Sequence, residues 1–372
     1  MKNVLVIFGT RPEAIKLAPL IFEFKKSNRF NCFVCSTGQH KEMLSQVVDF
    51  FNIPIDYNLD VMTQNQTLSS LTAKLMVELD KVIMSQGFDY IVVQGDTTTA
   101  FVGAMVGFFN KIKVVHVEAG LRTNNKYSPF PEEINRVLIS KVADFHFCPT
   151  HKAVLNLQNE NVNENVFNVG NTVIDSLLMA KSILESNNQT KYLKLFNKVD
   201  FSKKIILVTF HRRENHGQNL LNLIQALKKI AHRDDIQIVF PVHLNPNIKD
   251  KVYSSLVGID NIFLFSPFSY DEMVWIMTKS YLILTDSGGI QEEAPTFGIP
   301  VLIIRDTTER QEAIESGCAL LVGNKEEDIV KYCIDLLDNK NDMYRKMASS
   351  KNPFGDGTAS QKIVNILEGI LE

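Results

Sequence analysis

Residues 281–293 have the sequence YLILTDSGGIQEE and predict a buried strand that runs directly into a tight turn and a helix. The apolar run ends at Thr285, and a Ser-Gly-Gly turn at residues 287–289 follows. The predicted helix carries two acids, Glu292 and Glu293, close enough to accept hydrogen bonds from a sugar hydroxyl. Backbone N–H groups at a helix N-terminus favour a phosphate, and glycines let an anion approach the backbone. The stretch therefore predicts a nucleotide site, although an ordinary strand–turn–helix corner would give the same pattern.

The same alternation of strand and helix extends through the first half of the chain. The strand-like runs are rich in Val and Ile and apolar throughout, which is typical of parallel strands buried on both faces. The predicted strands are residues 3–8, 30–36, 90–94, 113–117 and 144–148, and helices start near residues 12, 40, 67, 97, 131 and 150. This βαβ repetition predicts a doubly wound sheet.

A long polar helical stretch at residues 173–198 precedes a second round of the same pattern. Strands are predicted there at residues 204–210, 236–241, 261–265, 281–285, 300–304 and 319–322. We infer an α/β protein of two Rossmann-like domains that join near residues 170–175. Residues 1–170 form the N-terminal domain and residues 171–354 the C-terminal domain. The final segment, residues 358–371, is an amphipathic helix that could cap either domain.

Length and composition predict an ordinary globular protein. The chain has 372 residues, enough for two domains, with 45% hydrophobic and 22% charged residues. The net charge is −3, and no run of like charges predicts a nucleic-acid or membrane surface. No signal-peptide pattern precedes the first strand, and the apolar runs are too short to span a bilayer. We therefore expect a cytoplasmic protein without membrane insertion.

The five cysteines do not predict a disulfide framework, because their number is odd and the chain is long. Cys32 and Cys35 form a C-x-x-C pattern within a predicted strand, where residues three apart point to opposite faces. No second Cys/His pair with metal-ligand spacing follows. We expect core cysteines and no metal site.

Ligands of open α/β sheets bind beyond the carboxyl ends of the strands, so two facing sheets predict a site in the cleft between them. The loop after the first strand, residues 9–16, reads GTRPEAIK. Pro12 suits the first helical position, which places Arg11 at the helix start and Lys16 one turn along. Two cations there suit a diphosphate, although they could also be a solvated surface pair. Neither a G-x-G-x-x-G nor a P-loop pattern occurs, which disfavours dinucleotide and ATP binding.

Three carboxylates follow successive strands of the predicted first sheet. Asp96 could act as a helix N-cap, and Glu132 could pair with Arg136 one turn along the same helix. Glu118 lies at a strand terminus above a buried sheet, which is costly unless the carboxylate is paired or used. Three carboxylates on one sheet edge favour general acid–base chemistry.

Basic residues follow the strands of the second predicted domain in the same way. His211, Arg212 and Arg213 follow its first strand, His243 its second, and Arg310 lies in a loop beside the Ser-Gly-Gly turn. A single basic residue is more often a surface charge than a ligand. Their repeated placement after strands favours neutralisation of a diphosphate.

Ten sequence segments together match one known family in order and spacing, from about residue 3 to about residue 370. They are GTRPEAIKLAPL, GDTTT, HVEAGLRT, PFPEEINR, GNTVIDSL, HRREN, HLNPN, TDSGGIQEEAPTFGIPVL, DTTER and NPFGDG. The chain resembles the non-hydrolysing UDP-N-acetylglucosamine 2-epimerases. The resemblance implies the GT-B type of fold, two Rossmann-like doubly wound domains with the active site in the cleft between them. It also implies that residues 355–372 return to the first domain and that the protein is a homodimer.

The resemblance implies reversible epimerisation of UDP-N-acetylglucosamine to UDP-N-acetylmannosamine at C2 of the sugar. This carbon bears no adjacent carbonyl, so the family eliminates UDP to give 2-acetamidoglucal and then adds UDP back after the proton returns on the other face. Cleavage of the C1–O bond builds negative charge on the diphosphate, which preorganised cations stabilise. No cofactor is implied, and the product supplies bacterial surface polysaccharide synthesis.

The matching positions imply four catalytic residues. Asp96, Glu118 and Glu132 are implied to be the acid–base carboxylates. His211 is implied to meet the diphosphate and to assist the departure of UDP. Which carboxylate removes the C2 proton is left open.

The matching positions also imply a set of residues that bind the UDP-sugar. They are Arg11, Lys16, Arg136, His243, Phe268, Ser287, Gly288, Gly289, Glu293 and Arg310. Within this set, Glu293 is implied to hold the ribose and Phe268 to line the uracil pocket mainly through its backbone.

The chain departs from the family pattern at three places. Gln94 replaces a His before GDTTT, and Gln311 replaces the usual Pro after Thr-Glu-Arg. Some bacterial members bind a second, activating UDP-N-acetylglucosamine, and Gln39 and His40 match that allosteric site. Asn65 stands where that site requires an Arg, which leaves allosteric activation open.

Other functions are compatible with parts of the pattern. A hydrolysing 2-epimerase that releases UDP and N-acetylmannosamine would share the fold and the acid–base residues. A GT-B glycosyltransferase would not require three carboxylates around C2, and a non-catalytic nucleotide-sugar-binding protein would not retain them. The sequence does not specify which polysaccharide uses the product.

Overall fold

The computed structural model describes residues 1–38, 41–63, 65–212 and 217–371. The chain forms two compact units, Met1–Met179 with Phe354–Glu372 and Ala180–Pro353. Each unit contains one sheet in which every paired strand is parallel. The predicted α/β class with two doubly wound sheets is thereby confirmed.

The first unit has a seven-stranded sheet of order β3-β2-β1-β4-β5-β6-β7. Its strands are β1 (Lys2–Phe8), β2 (Phe30–Ser36), β3 (Tyr57–Asn58), β4 (Tyr90–Gln94), β5 (Lys113–Val117), β6 (Phe145–Cys148) and β7 (Val166–Asn168). Its helices are α1 (Arg11–Lys26), α2 (Lys41–Phe51), α3 (Leu68–Ser85), α4 (Thr98–Phe109), α5 (Glu132–Val142), α6 (His151–Asn159), the first part of α7 (Thr172–Ser186), and the final helix α16 (Ala359–Ile370).

The second unit has a six-stranded sheet of order β10-β9-β8-β11-β12-β13. Its strands are β8 (Lys204–Thr209), β9 (Ile236–Pro241), β10 (Ile262–Phe265), β11 (Leu282–Thr285), β12 (Val301–Ile303) and β13 (Ala319–Leu321). Its helices are α8 (Thr190–Leu195), α9 (Gln218–Ile230), α10 (Pro246–Leu256), α11 (Tyr270–Lys279), α12 (Gly288–Glu293), α13 (Gln311–Glu315), α14 (Glu326–Leu337) and α15 (Met343–Ala348). Short 3-10 helices lie at Ala294–Phe297 and Lys340–Asp342.

Central strands of both sheets are buried on both faces, as their continuous apolar runs predict. In β1, Val4, Leu5, Val6, Ile7 and Phe8 are all fully buried. Each predicted strand is present to within one or two residues of its predicted bounds. The edge strands β3 and β7 were not predicted, because runs of two and three residues carry no recognisable pattern.

The long helical stretch predicted at residues 173–198 consists of two helices, α7 and α8, and the division between the units falls inside α7. Asn188 interrupts the stretch, because its side-chain oxygen accepts hydrogen bonds from the backbone N–H and the hydroxyl of Thr190 at 2.9 and 2.5 Å. Such side-chain-to-backbone bonds compete with helical ones. The predicted stretch is therefore helical, with one interruption at residues 187–189.

The cysteines lie where the strand interpretation predicts core residues. All five are free thiols, and all are buried except Cys32, which is partly exposed. Burial raises the pKa of Cys32 and of Cys35 to about 12, which keeps both thiols protonated at neutral pH. Among the residues described, no helix combines the length and apolar character needed to cross a membrane.

The final helix belongs to the first unit, where it packs against α1. Asp175 of α7, itself buried, accepts hydrogen bonds from the backbone N–H groups of Ala359 and Ser360 at 3.3 and 2.7 Å. These N–H groups have no partner within their own helix, and a carboxylate at a helix N-terminus also stabilises the helix dipole. Asp175 therefore attaches the end of the chain to the first unit.

We predict that Asp175→Ala lowers the free energy of unfolding by about 1–3 kcal/mol, because two buried N–H groups lose their acceptor. The measurement is the melting temperature by scanning calorimetry. Asp250→Ala is the control, since Asp250 is exposed on α10 and should change stability by no more than about 0.5 kcal/mol. Equal melting temperatures for the two variants would show that Asp175 does not hold the final helix.

Candidate active site

The loops after β1 and β4 are joined by a buried carboxylate. Glu13 accepts hydrogen bonds from the backbone N–H groups of Gly9 and Thr10 at 3.0 and 2.8 Å, and from the Thr97 hydroxyl at 2.6 Å. Burial raises the pKa of Glu13, and these hydrogen bonds oppose that rise. Arg11 occupies the first position of α1. The Arg11 end of the helix is thereby anchored beside the loop that carries Asp96.

The position of Asp96 in the sequence allowed a role as the N-cap of α4, but Asp96 does not have that role. Thr97 is the N-cap and accepts the backbone N–H of Ala100 at 3.0 Å. The Asp96 carboxylate instead forms an ion pair with Arg136 of α5. Burial raises the pKa of Asp96, and the Arg136 charge opposes that rise. A carboxylate whose pKa is shifted by burial beside a specific cation is a candidate for proton exchange.

Glu118 is buried at the end of β5 and is held by three side chains. The Lys16 ammonium lies 2.6 and 2.7 Å from the two carboxylate oxygens. Gln94 donates a hydrogen bond to Oε2, and Asn171 Nδ2 lies 3.4 Å from Oε1. The buried carboxylate predicted to require a partner therefore has one, and Gln94, where the family pattern has a His, contacts it directly.

The backbone of Glu118 is in the left-handed region, with φ of +63°. A residue with a Cβ rarely adopts this conformation, and such residues cluster at functional sites. The Gly95 N–H donates to the Val117 carbonyl at 2.9 Å beside it, so the chain at Glu118 is bonded to the loop after β4. The strained residue and the acid candidate are thus the same residue.

Neighbouring acids at the start of α5 have different environments. The side chain of Glu132 is half-buried and has no hydrogen-bond or ion-pair partner among the described residues. Glu133 is buried, accepts the backbone N–H groups of Thr123 and Asn124, and lies 3.5 Å from Arg136. The alternative prediction of a Glu132–Arg136 salt bridge is therefore wrong, because Arg136 turns toward Asp96 and Glu133.

A buried histidine that sequence reasoning did not select contacts the loop that carries Asp96 in the first unit. His116 is fully buried in β5, and its Nε2 lies 2.8 Å from the Gly95 carbonyl oxygen. Burial lowers the pKa of His116 to about 3, so the ring is neutral and Nε2 must carry the proton that it donates. His116 therefore holds the backbone of the turn before Asp96 through its hydrogen bond to the Gly95 carbonyl.

In the second unit, His211 and Asp286 form a close pair beyond the ends of adjacent strands. His211 Nδ1 lies 3.0 Å from Asp286 Oδ1, and the backbone N–H groups of His211 and Arg212 also donate to this carboxylate. Asp286 is fully buried, whereas the His211 side chain is 47% exposed. The Nδ1 edge of the imidazole therefore faces a buried carboxylate, while about half of the side chain stays exposed.

A cluster of arginines surrounds Glu309 in the loop after β12. Its carboxylate lies 2.8 Å from Arg212 and 2.7 Å from Arg305. Arg310 is 3.7 Å away. Burial alone would raise the pKa of Glu309, but a bond from its own backbone and the three arginine charges lower that pKa to about 2. The ionised carboxylate holds three cations together, and such a group of cations suits a phosphate ligand.

The Ser-Gly-Gly turn is shaped around Arg310. Arg310 Nε donates to the buried Glu292 carboxylate at 2.8 Å, so this acid is occupied and does not face a ligand. A Cβ on Gly288 would lie 3.3 Å from the Arg310 guanidinium carbon, whereas one on Gly289 would meet nothing closer than the Ser287 hydroxyl at 3.9 Å. Gly288 therefore makes room for Arg310, and the space beside Gly289 is open.

The remaining predicted binding residues have mixed surroundings. His243 is exposed after β9, where its Nδ1 accepts the backbone N–H of Asn245 at 3.1 Å. The Phe268 ring is buried against Phe196 and Phe265, with centroids 5.3 and 5.4 Å away, so the ring packs within the unit and does not face a ligand. Glu293 is half-buried at the end of α12. Gln39, His40 and Arg213 lie outside the described residues.

Sequence reasoning missed several residues that hold these candidates in place. Asn171, Asp286, Glu309 and His116 each contact a candidate residue or its loop, and all four lie inside the quoted motifs. Motif position was therefore an available signal for all of them. Their roles depend on pairing between distant segments, such as Asn171 with Glu118, which spacing along the chain does not predict.

Comparison with known proteins relates this geometry to one family. Residues 23–368 match the family model described as UDP-N-acetylglucosamine 2-epimerase. The chain is 50% identical over 370 residues to the UDP-N-acetylglucosamine 2-epimerase of Salmonella borreze, a match that covers 98% of each chain. It is 47% identical over 375 residues to that of Campylobacter jejuni, covering 99% of this chain and 97% of the other.

Among solved structures, the chain is similar to the UDP-GlcNAc 2-epimerase from Neisseria meningitidis bound to UDP-GlcNAc. The TM-score is 0.88 and the sequence identity 43%, and the match covers 99% of this chain and 100% of the other. The similarity thus extends over both units of the fold.

We predict different effects on stability for alanine at the two neighbouring glycines. Gly288→Ala should lower the free energy of unfolding by about 1–3 kcal/mol, because the added methyl crowds the Arg310 guanidinium and forces it to shift against its bond to the buried Glu292. Gly289→Ala should leave it unchanged or raise it by about 0.5–1 kcal/mol, since alanine is the better helix former and the space is open. Melting temperatures measure both, and equal values for the two variants would contradict the close fit of Arg310 over Gly288.

Proposed function

The chain belongs to the UDP-N-acetylglucosamine 2-epimerase family, and on that premise we propose that it is the non-hydrolysing enzyme of this family. The family's enzymes are isomerases. The reaction proposed here is the interconversion of UDP-N-acetylglucosamine and UDP-N-acetylmannosamine with the nucleotide retained in the product. The observation that carries the proposal is the match of ten segments, in order and spacing, to the pattern of the non-hydrolysing enzymes. The acid–base chemistry is supported by three carboxylates at the ends of β4 and β5 and the start of α5, two of them paired with cations.

The proposed reaction begins with departure of UDP from C1 of the sugar. Negative charge then develops on the diphosphate, and groups that are already oriented toward it lower the barrier. In the second unit, His211, Arg310 and the open backbone beside Gly289 are suited to this task. The three arginines around Glu309 supply further positive charge, which an entering phosphate can share with that carboxylate.

Proton transfer at C2 is assigned to the carboxylates of the first unit. Loss of UDP gives an oxocarbenium-like species, and a base then removes the C2 proton to form 2-acetamidoglucal. Return of a proton on the opposite face and re-addition of UDP complete the inversion. Asp96 has an environment suited to proton exchange, because burial raises its pKa while Arg136 keeps the ionised form accessible. Glu118 is bound tightly by Lys16 and is better suited to stabilising positive charge on the sugar.

The remaining residues are assigned to binding. Arg11 and Lys16 are at the start of α1 and one turn along it, positions suited to the phosphates or the sugar. Glu293 and the backbone of Phe268 are assigned to the ribose and the uracil, and His243 to the UDP moiety. We also propose a homodimer whose product supplies surface polysaccharide synthesis. UDP-N-acetylglucosamine, bound in the Neisseria meningitidis structure, is the substrate in this proposal.

The central test is incubation with UDP-N-acetylglucosamine in deuterated water, followed by proton NMR and chromatography of the nucleotides. We expect deuterium at C2 of the UDP-N-acetylmannosamine product, because the proton that leaves C2 is replaced from solvent. UDP that accumulates one-for-one with turnover would instead identify a hydrolysing enzyme. Product without any deuterium would exclude the elimination mechanism.

Asp96→Asn should lower the rate of deuterium exchange at C2 by at least about 100-fold, because the amide cannot accept the proton. The Arg136 contact can be retained by the amide oxygen, so the fold should be preserved. Asp250→Asn, a change at an exposed position on α10, is the matched control. Exchange at the wild-type rate in Asp96→Asn would refute a role for this carboxylate in proton transfer.

Adjacent acids on α5 allow a second comparison. Glu132→Gln should reduce kcat without loss of stability, because the side chain of Glu132 has no partner among the described residues. Glu133→Gln should lower the melting temperature, because the buried carboxylate holds the backbone of Thr123 and Asn124. Turnover and melting temperature are measured for both. A Glu132→Gln variant with unchanged kcat would remove Glu132 from the acid–base group.

A further inference from the structure

We propose that Asp286 is a positioning residue that fixes the tautomer and the orientation of the His211 ring. This inference rests on the proposed function, in which His211 contacts the diphosphate as UDP departs. Asp286 follows β11 and belongs to the segment TDSGG, in which the family resemblance implied roles only for Ser287, Gly288 and Gly289. The side chain of Asp286 is fully buried and directed at the loop after β8.

Two neighbouring strands bring Asp286 and His211 together. Thr285 of β11 is in register with Thr209 of β8, and their hydroxyl groups are 2.6 Å apart. The backbone N–H of Asp286 donates to the Thr209 carbonyl at 3.2 Å. The separation of the two side chains is therefore set by sheet pairing and not by a surface loop alone.

The hydrogen-bond donors around Asp286 determine which nitrogen of His211 carries a proton. The backbone N–H of Arg212 donates to Oδ2 at 2.9 Å, and that of His211 lies 3.2 and 3.1 Å from Oδ1 and Oδ2. A carboxylate has no proton to give, so the ring contact at Oδ1, 3.0 Å long, requires Nδ1 to be the donor. Nε2 is then the nitrogen that faces away from Asp286.

This orientation has a consequence for UDP departure. In the neutral ring the Nδ1–H form places the Nε2 lone pair toward the ligand, and in the charged ring Nε2 carries a second N–H there. The charged ring can donate to a diphosphate oxygen through Nε2 while Nδ1–H remains bonded to Asp286, so neither nitrogen loses a partner. A ring free to rotate or to change tautomer would have to be ordered in each cycle, which costs rate.

The role requires a hydrogen-bond acceptor at the Oδ1 position, and not only a side chain of the shape of Asp286. An Asn at position 286 can still accept the backbone N–H of Arg212 through its oxygen, so the turn is retained. Its NH2 group then occupies the Oδ1 position and donates to the ring. Nδ1 becomes an acceptor, and the proton of the neutral ring moves to Nε2.

The test is Asp286→Asn, followed by nitrogen NMR of protein labelled with 15N-histidine in the absence of substrate. His211 is identified among the eight histidines by the signal that disappears in His211→Gln. We expect the Nδ1–H tautomer of the neutral ring in the wild type and the Nε2–H tautomer in Asp286→Asn. Steady-state kinetics should show kcat lowered by about 100-fold or more with little change in KM.

Asp235→Asn is the control, because Asp235 also bonds to a cation, Arg233, but precedes β9 at the opposite end of the sheet. It should leave the His211 spectrum and kcat unchanged. An unchanged His211 tautomer in Asp286→Asn overturns the proposal, and so does a changed tautomer with wild-type kcat. If Asp286→Asn does not fold, the wild-type spectrum alone tests the proposal. A wild-type His211 ring without a proton on Nδ1 would overturn the proposal.

The spectroscopic result is independent of turnover. An enzyme that hydrolyses its substrate, or shows no activity, would contradict the proposed function while the His211 tautomer is still measured directly. Failure of the two proposals is therefore distinguishable.

Discussion

Burial of carboxylates at the ends of parallel strands is the constraint on which this structure depends. An ionised carboxyl group is costly to remove from water unless cations or N–H groups take the place of the solvent. Glu13 and Asp286 are held by backbone N–H groups, whereas Glu118 is held by Lys16. For each acid at least one partner comes from another segment of the chain: Thr97 for Glu13, Lys16 for Glu118, and His211 and Arg212 for Asp286. The need to satisfy the acids therefore fixes the relative positions of the loops, and with them the candidate site.

The two units satisfy their buried carboxylates with different sets of cations. The first unit places Asp96 and Glu118 each beside one cation. Each carboxylate is thus neutralised by an ion pair and keeps its own charge. The second unit gathers several arginines around one acid, Glu309, and so has positive charge to offer a ligand. Acid–base chemistry on a sugar and neutralisation of a diphosphate are the tasks that these two environments suit, in agreement with the family to which the chain belongs.

Strand and helix positions were predictable because buried parallel strands leave continuous apolar runs that are interrupted by helical patterns. Predictions failed where the deciding contact came from elsewhere in the chain. A helix cap was one alternative for Asp96, yet Thr97 serves that role and Asp96 binds Arg136. Arg136 was paired with Glu132 by helical spacing, although a closer acid from another loop competes for it. Local spacing identifies which residues can meet, and packing selects which of them do.

The sequence by itself determined the fold class, the family and the identities of the candidate residues. Apolar periodicity and motif order are properties of the linear chain, and the family match confirms the resemblance they indicated. Only the tertiary structure decided which partner each charged group has, such as Gln94 and Lys16 for Glu118 and Asp286 for His211. The physical reason is that charge pairing in a protein interior depends on distances of a few ångströms between segments that lie far apart in sequence.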